Sequence, residues 1–335
     1  MAVRRFKTAL GSQVKNYGAG SGRTKLTSLA TGGVITDVGG YRIHSFTAVG
    51  SSNFIVTENL SNVECLVVGG GGGGGRHSGG GGGAGGLAYS SSLNVITQSY
   101  TLTVGNGGSG KLGVYASDAG GAGTSGQDST FSVITAKGGG PGGFYAQVST
   151  SGGSSGGAGR TFTSTAITQT SGSGWTGSGN IGGNGSGNDP DYPAGGGGGA
   201  GFVGGNGVNT NNSSAKGGDG GSGLQFSISG TFLFYAGGGG GNIQYAAWAG
   251  GTDGNYGTGA LNKGGLGGSG GGGQGGGPYS SSNQSYEGAG RDGVNGLGGG
   301  GGGHRYNTDY IAGRQGNGGS GIIVIRYPLL GYQFD

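Results

Sequence analysis

The sequence predicts a mainly β and irregular fold: short β-strands anchor a packed bundle of polyglycine II helices, with essentially no α-helix. Three observations predict it. Gly supplies 102 of the 335 residues and comes in runs, such as the unbroken Gly69 to Gly75 and the five glycines that follow Arg76, His77 and Ser78. The runs are spliced directly onto apolar stretches: Val63 to Val68 empties into Gly69, FLFYA at 232–236 empties into Gly237 to Gly241, and GGSG at 318–321 leads into Ile322 to Tyr327. Only 9% of residues are charged, which separates the chain from disordered segments of high net charge.

Composition excludes the usual fates of glycine-rich chains. With 16 Tyr, 11 Phe and 2 Trp, the chain has apolar material to bury. With 5 Pro it is neither collagen, which needs abundant Pro in a strict triplet, nor a proline-rich ligand. One physical solution fits. Glycine can run as an extended helix with three residues per turn and no internal hydrogen bonds, its N–H and C=O groups pointing sideways. Neighbouring backbones satisfy those groups, and only glycine lets them come that close. Seven residues at ~3.1 Å each span roughly 22 Å. Ordering glycine costs entropy, so the strands must supply the offsetting apolar burial.

In chain order, residues 1–40 form a basic attachment segment that is irregular or orders against another protein. Arg4, Arg5, Lys7, Lys15, Arg23 and Lys25 all precede the first acid, Asp37. Their spacing lacks the density of a nucleic-acid tail, so the segment reads as a docking arm for an acidic protein partner. Residues 41–328 form the glycine-rich β/polyglycine domain, and 329–335 a short tail. Tyr41 to Val49, Asn53 to Thr57 and Val63 to Val68 read as three strands of one small antiparallel sheet. Further strands are expected at Leu87 to Tyr89, Tyr100 to Val104 and Thr130 to Ala136. From Gly138 to Gly223 no period of 2 or 3.6 survives, and loops connecting short glycine helices are expected. Leu224 to Ala236 reads as a hairpin turning at Ser229-Gly230. Ile322 to Tyr327 is apolar without alternation until Arg326, so it is buried on both faces, with Pro328 ending it.

Motifs that suggest chemistry dissolve on inspection. Gly105 to Lys111 (GNGGSGK) has the spacing of a phosphate-binding loop, but Leu112 stands where a magnesium-binding hydroxyl belongs and no helix follows. Gly182 to Asp189 has the flavour of a calcium nonapeptide, but its acid is displaced and the motif does not repeat. His77 and His304 sit beside Arg in glycine tracts and read as exposed tips. Cys65, the one cysteine, reads as a small buried hydrophobe. The 13 acids are too scattered to nominate a carboxylate pair. No enzyme, no cofactor and no metal site is expected. MAVRRFKTALGSQ lacks the apolar region of a signal peptide, and no run of 18 apolar residues predicts membrane insertion.

The joins YRIHSFTAVGSSNFIVT then VECLVVGGGGGGG, QSYTLTVGNGG, STFSVITAKGGGPGG, GLQFSISGTFLFYAGGGGG and GGSGIIVIRYP resemble, in combination and order over about residues 41–328, the glycine-rich domain of bacteriophage tail-fibre and receptor-binding (tip adhesin) proteins. The resemblance implies a non-enzymatic virion protein, made in the host cytoplasm. Its glycine helices would form a rigid scaffold displaying loops that bind a host surface glycan or outer-membrane protein. The basic N-terminal segment would attach it to other virion proteins of the fibre, tail or capsid, with no nucleic acid as partner. Fibre-like homotrimers and single copies capping a trimer both fit the resemblance. The alternative is a structural virion component, a capsid decoration or tail accessory protein without direct receptor binding. Loop content rich in Tyr, Trp, Ser and Asn resembles that of binding loops. The candidate receptor-facing residues are Phe144, Tyr145, Trp175, Tyr192, Tyr245, Trp248, Tyr279, Tyr286, His304, Tyr306 and Tyr310.

Overall fold

Two antiparallel sheets are organised around two mostly apolar strands that carry a single charge pair between them. The computed structural model describes residues 29–110, 123–145, 147–160, 162–187, 192–209, 215–243, 264–277, 289–304 and 315–329. The strands are β1 (Ala30–Thr31), β2 (Val34–Val38), β3 (Tyr41–Phe46), β4 (Gly50–Val56), β5 (Leu60–Val68), β6 (Leu87–Val95), β7 (Gln98–Val104), β8 (Ser129–Phe131), β9 (Ile134–Ala136), β10 (Thr176–Ser178), β11 (Leu224–Phe226), β12 (Leu233–Tyr235) and β13 (Ile322–Pro328). One sheet has the order β1-β4-β7-β8-β9, a second has β10-β6-β5-β13-β3-β2, and β11 and β12 form a separate hairpin. Among the described residues there is no helix.

The second sheet is the middle layer. Strand β13 pairs with β5 on one side and β3 on the other. Its alternate residues serve two cores. Ile323, Ile325 and Tyr327 face the first sheet with Cys65 and Val67, packing on Phe54, Leu102, Val104 and Phe131. Ile322 and Val324 face the opposite way with Leu66 and Val68, against Ile228, Tyr235 and Ala236 around the hairpin and Ala84 and Ala200 of the glycine tracts. The apolar run at 322–325 is therefore buried on both faces, and Cys65 is a buried, free thiol. Each Leu or Ile so buried contributes roughly 1.5–3 kcal/mol.

The local pairing differs from a simple meander. Strand β4 leaves the sheet that holds β3 and β5 and pairs with β7 in the other sheet, while the chain's last strand inserts between β3 and β5. The expected strand at 130–136 is a tight hairpin, β8 and β9, turned through Ser132 at φ 53°. Residues 30–38 are not irregular: β1 and β2 close one edge of each sheet. Strand β10, in the stretch expected to hold only loops, pairs with β6.

A paired charge pins the hairpin to the middle sheet. Glu64 of β5 and Arg326 of β13 are register partners. The Arg326 Nη2 donates to both carboxylate oxygens at 2.6 and 2.7 Å, and its Nη1 donates to the Ser227 carbonyl at 3.1 Å. The Tyr89 hydroxyl donates to Glu64 Oε2 at 2.9 Å. Burial, reinforced by that carboxylate, pushes the Tyr89 phenol up to about 12, so it stays a donor. In the core between the two sheets, His44 Nδ1 donates to the Gly32 carbonyl at 2.7 Å, which leaves Nε2 to accept from the Tyr327 hydroxyl at 3.2 Å.

From the sheets the glycine segments run out together. β5 leads into Gly69, β7 into Gly105, β9 into Lys137, β10 into Gly179 and β12 into Ala236. Segments return into β6 at Gly86, β8 at Asp128, β11 at Gly223 and β13 at Gly321. Residues 69–75 show how they pair. Gly69, Gly72 and Gly75 donate to Gly86, Gly83 and Gly80; Gly70 and Gly73 donate to Gln127 and Thr124; Gly71 and Gly74 donate to Gly319 and Gly316. The carbonyls of this segment accept from Gly139 and Gly142, from Gly301 and His304, and from Gly108. Successive residues thus address three different acceptor segments, every third returning to the same one, and three further segments donate back. Residues 79–86, 194–200, 237–242 and 298–304 are likewise ringed by hydrogen-bonded neighbours. Gly105–Gly110 is one segment of this lattice, since Gly108 donates to Gly71 and the Ser109 carbonyl accepts from Thr124; the apparent phosphate loop is scaffold.

Candidate functional site

The bundle has two unlike ends. Its near end meets the strands. Its far end is where residues 75–79, 143–145, 157–160, 192–195, 242–243 and 303–304 come together. Gly79 donates to the His304 carbonyl, His304 to Gly75, Asn242 to Gly79, and Tyr145 to the His77 carbonyl at 2.9 Å.

Across this far end stand four planar groups in a column. The His77 and Tyr145 rings are 4.4 Å apart with a 32° tilt. The Arg160 guanidinium carbon lies 4.6 Å from the Tyr145 ring centre and 4.0 Å from that of Tyr192. Four chain segments, each at the end of a separate glycine tract, thereby meet through cation–π and ring contacts. The backbone bends unusually to achieve it. Of the non-glycine residues with left-handed φ, His77 (50°), Ser78 (57°), Tyr145 (42°) and Tyr192 (41°) all belong to this column or adjoin it. Such conformations cost of order 1–3 kcal/mol each and concentrate where a site over-determines them.

Electrostatically the far end is cationic. Arg76, His77 and His304 are buried, and Arg160 and Tyr192 half-buried. Burial first, then the Arg160 and Arg76 guanidiniums, push the His77 imidazole down to about 4, so it is neutral at physiological pH. The Arg160 Nε is buried without a hydrogen-bond partner. Among the described residues no group of three or more His, Cys, Asp or Glu could hold a metal. No helix among them is long and apolar enough to cross a membrane.

The candidates named from sequence separate on this frame. Tyr145 and Tyr192 join the column, Phe144 adjoins it half-buried, and His304 sits beside Gly75 and Gly79. His77 and His304 are not exposed tips: they are 8% and 5% exposed, because the neighbouring tract ends and the Tyr145 ring close over the turn. Trp175 belongs to the sheets. It bridges to Gly172 beside β10 and packs on the core between the sheets. Tyr245, Trp248, Tyr279, Tyr286, Tyr306 and Tyr310 lie outside the described residues. Flanking residues Ile243 and His304 do lie at the far end, Ile243 donating to the Gly276 carbonyl. Arg4, Arg5, Lys7, Lys15, Arg23 and Lys25 also lie outside the described residues. Arg160 was not singled out from sequence. A signal existed: the glycine tracts end in a cationic residue at Gly75-Arg76-His77, Gly159-Arg160 and Gly303-His304.

With this geometry in view, the comparisons narrow the class. Residues 47–328 match the glycine-rich domain family, and the chain belongs to it. No curated protein matches the chain.

Proposed function

We propose that the chain is a non-enzymatic bacteriophage virion protein, a tail-fibre or tip adhesin. In this reading the glycine segments are polyglycine II helices forming a stiff scaffold, and their far end contacts a host surface glycan or outer-membrane protein. The observation that carries the reading is the polarity of the molecule. Every strand named above as feeding the bundle joins it at the near end, and the aromatic and cationic side chains gather at the other. The chain enters at the opposite pole. Leu29 accepts from Thr57 and β1 pairs with the Val56 end of β4, whereas the Gly50 end of β4 pairs with Val104, next to the bundle. In this reading the basic residues that precede Leu29 in the sequence dock on other virion proteins. Loops and tips on a rigid scaffold are where binding concentrates.

The test is attachment of labelled full-length protein to intact bacteria. Beside it goes a variant with Arg4, Arg5 and Lys7 changed to Glu, scored both on cells and on particles lacking the protein. Cell binding by both proteins, with loss of particle binding in the variant alone, supports the adhesin and its arm. Particle assembly with no binding to any host of the phage would make it a decoration or tail accessory component.

A further inference from the structure

We infer that the Tyr145–Arg160–Tyr192 cluster is an oxyanion-binding subsite, taking the carboxylate or phosphate of an acidic surface sugar. It deepens the adhesin reading and rests on it for its biological setting. Both tyrosine rings lie against the guanidinium, their centres 4.6 and 4.0 Å from its carbon. At the edge of the fork the N–H donors lie in a plane matched to carboxylate and phosphate oxygens.

That edge is not spent within the described chain. The ion pairs among the described residues join Arg42 to Asp37, Lys137 to Asp128, Lys216 to Asp219 and Arg326 to Glu64; Arg160 is in none of them. Its Nε is buried and has no acceptor, as Asn242 Oδ1 at the same end has no donor, so the terminal nitrogens of this half-buried side chain are the ones an anion would meet. Among the described residues the surroundings favour an anion over a cation. The described residues gathered at this end, 76–78, 143–145, 158–160, 192–194, 242–243 and 303–304, carry two guanidiniums and two imidazoles and no carboxylate. A sugar fits the rest of the surface. His77 and Arg160 both lie against the Tyr145 ring, yet that residue stays 36% exposed and so keeps surface to offer to sugar hydroxyls. The left-handed backbone at His77, Tyr145 and Tyr192 is the bend that holds the fork in place before any ligand arrives.

The full-length protein, labelled with nitrogen-15, would be titrated with galacturonic acid, with glucose 6-phosphate and with glucose at matched ionic strength. The readout is the arginine Nε–H region of the NMR spectrum, with Arg160→Lys identifying the resonance by its loss. A saturable shift of that resonance with either anion and not with glucose is expected. Arg160→Gln should weaken the response of neighbouring signals at least about tenfold. Response to galacturonic acid alone assigns a uronic-type sugar, and response to glucose 6-phosphate alone a phosphorylated one. No saturable shift up to about 50 mM of either anion, or an equal shift with glucose, overturns the subsite. Cell attachment is scored separately. Saturable anion binding without attachment to any host removes the adhesin reading and leaves the subsite, whereas attachment unchanged in Arg160→Gln with no titration does the reverse.

Discussion

The near and far ends of the glycine bundle are held by opposite means. At the near end, aliphatic side chains from three layers are buried, and the one deep charge pair, Glu64 with Arg326, has its hydrogen bonds met by Tyr89 and Ser227. At the far end, a column of rings and a guanidinium is held on left-handed backbone, with a donor left over. The contrast teaches a division of labour. One end supplies the burial that offsets the ordering of glycine, and the other spends part of that stability on a preorganised surface. Between them lies a lattice with no side chains to adjust.

That middle should be the least forgiving region. A Cβ at Gly72 would collide with the Gly140 carbonyl group, and the backbone there is locked by hydrogen bonds on all sides. At the rim, a Cβ on Gly205 meets nothing nearer than the Asp219 amide nitrogen at 3.0 Å. Gly72→Ala is expected to abolish folding or cost more than about 4 kcal/mol, and Gly205→Ala to cost about 1 kcal/mol or less. Denaturant titration followed by far-ultraviolet circular dichroism checks it. Equal stability of the two variants would mean that the lattice relaxes as a soft coil does.

The near end should fail next. Arg326→Met leaves the Glu64 carboxylate only 18% exposed and without its partner, which should cost roughly 3–5 kcal/mol. Removing both charges, as Glu64→Met with Arg326→Met, should recover part of that loss, because an apolar pair of similar size carries no desolvation cost. A double variant as damaged as Arg326→Met alone would show that the Ser227 contact to the hairpin matters more than the charges do.

How much of this was legible depends on which atoms carry the information. The strands could be read because apolar side chains write their burial into the sequence: Ile322 to Ile325 lacks alternation since both faces are covered. The hairpin turn at Ser229-Gly230 announced itself through turn chemistry, and Gly230 does take φ 90°. Sheet membership could not be read, because nothing in the chain before residue 322 says that a last strand will part β3 from β5. Partners within the lattice were equally hidden. Gly72 donates to Gly83 and a Cβ on it would meet Gly140, yet no side chain on any of the three encodes that choice. At the far end, composition pointed to Tyr145 and Tyr192. It missed Arg160, because a single Arg after a glycine tract looks like a solvated turn until two rings from distant segments close on it.

The subtlest contrast between the two ends is in their histidines. His44, in the core between the sheets, and His77, in the column, both have imidazoles depressed below the ordinary value, burial being the first cause in each. For both, the unfolded chain holds the proton more readily than the folded one. Their contribution to stability is therefore complete above about pH 6.5 and declines as pH falls; for His77 the decline runs out near pH 4. What protonation breaks differs between them. A charged His44 would lose the Tyr327 hydroxyl as a donor to Nε2 inside a sealed core, so it should take its proton only as the sheets come apart. A charged His77 would repel Arg160 and Arg76 at the end of the bundle, away from the sheet core. Proton NMR from pH 7 to 3.5 should show the His77 ring titrating near 4 within folded protein, with Tyr145 signals moving alongside it and core methyl signals unmoved. Arg160→Gln should raise that midpoint by only part of the shift, since burial is the larger cause. A midpoint near 6.5 with Arg160 in place would mean that the column is open to solvent, and the comparison between a sealed end and a poised one would fall with it.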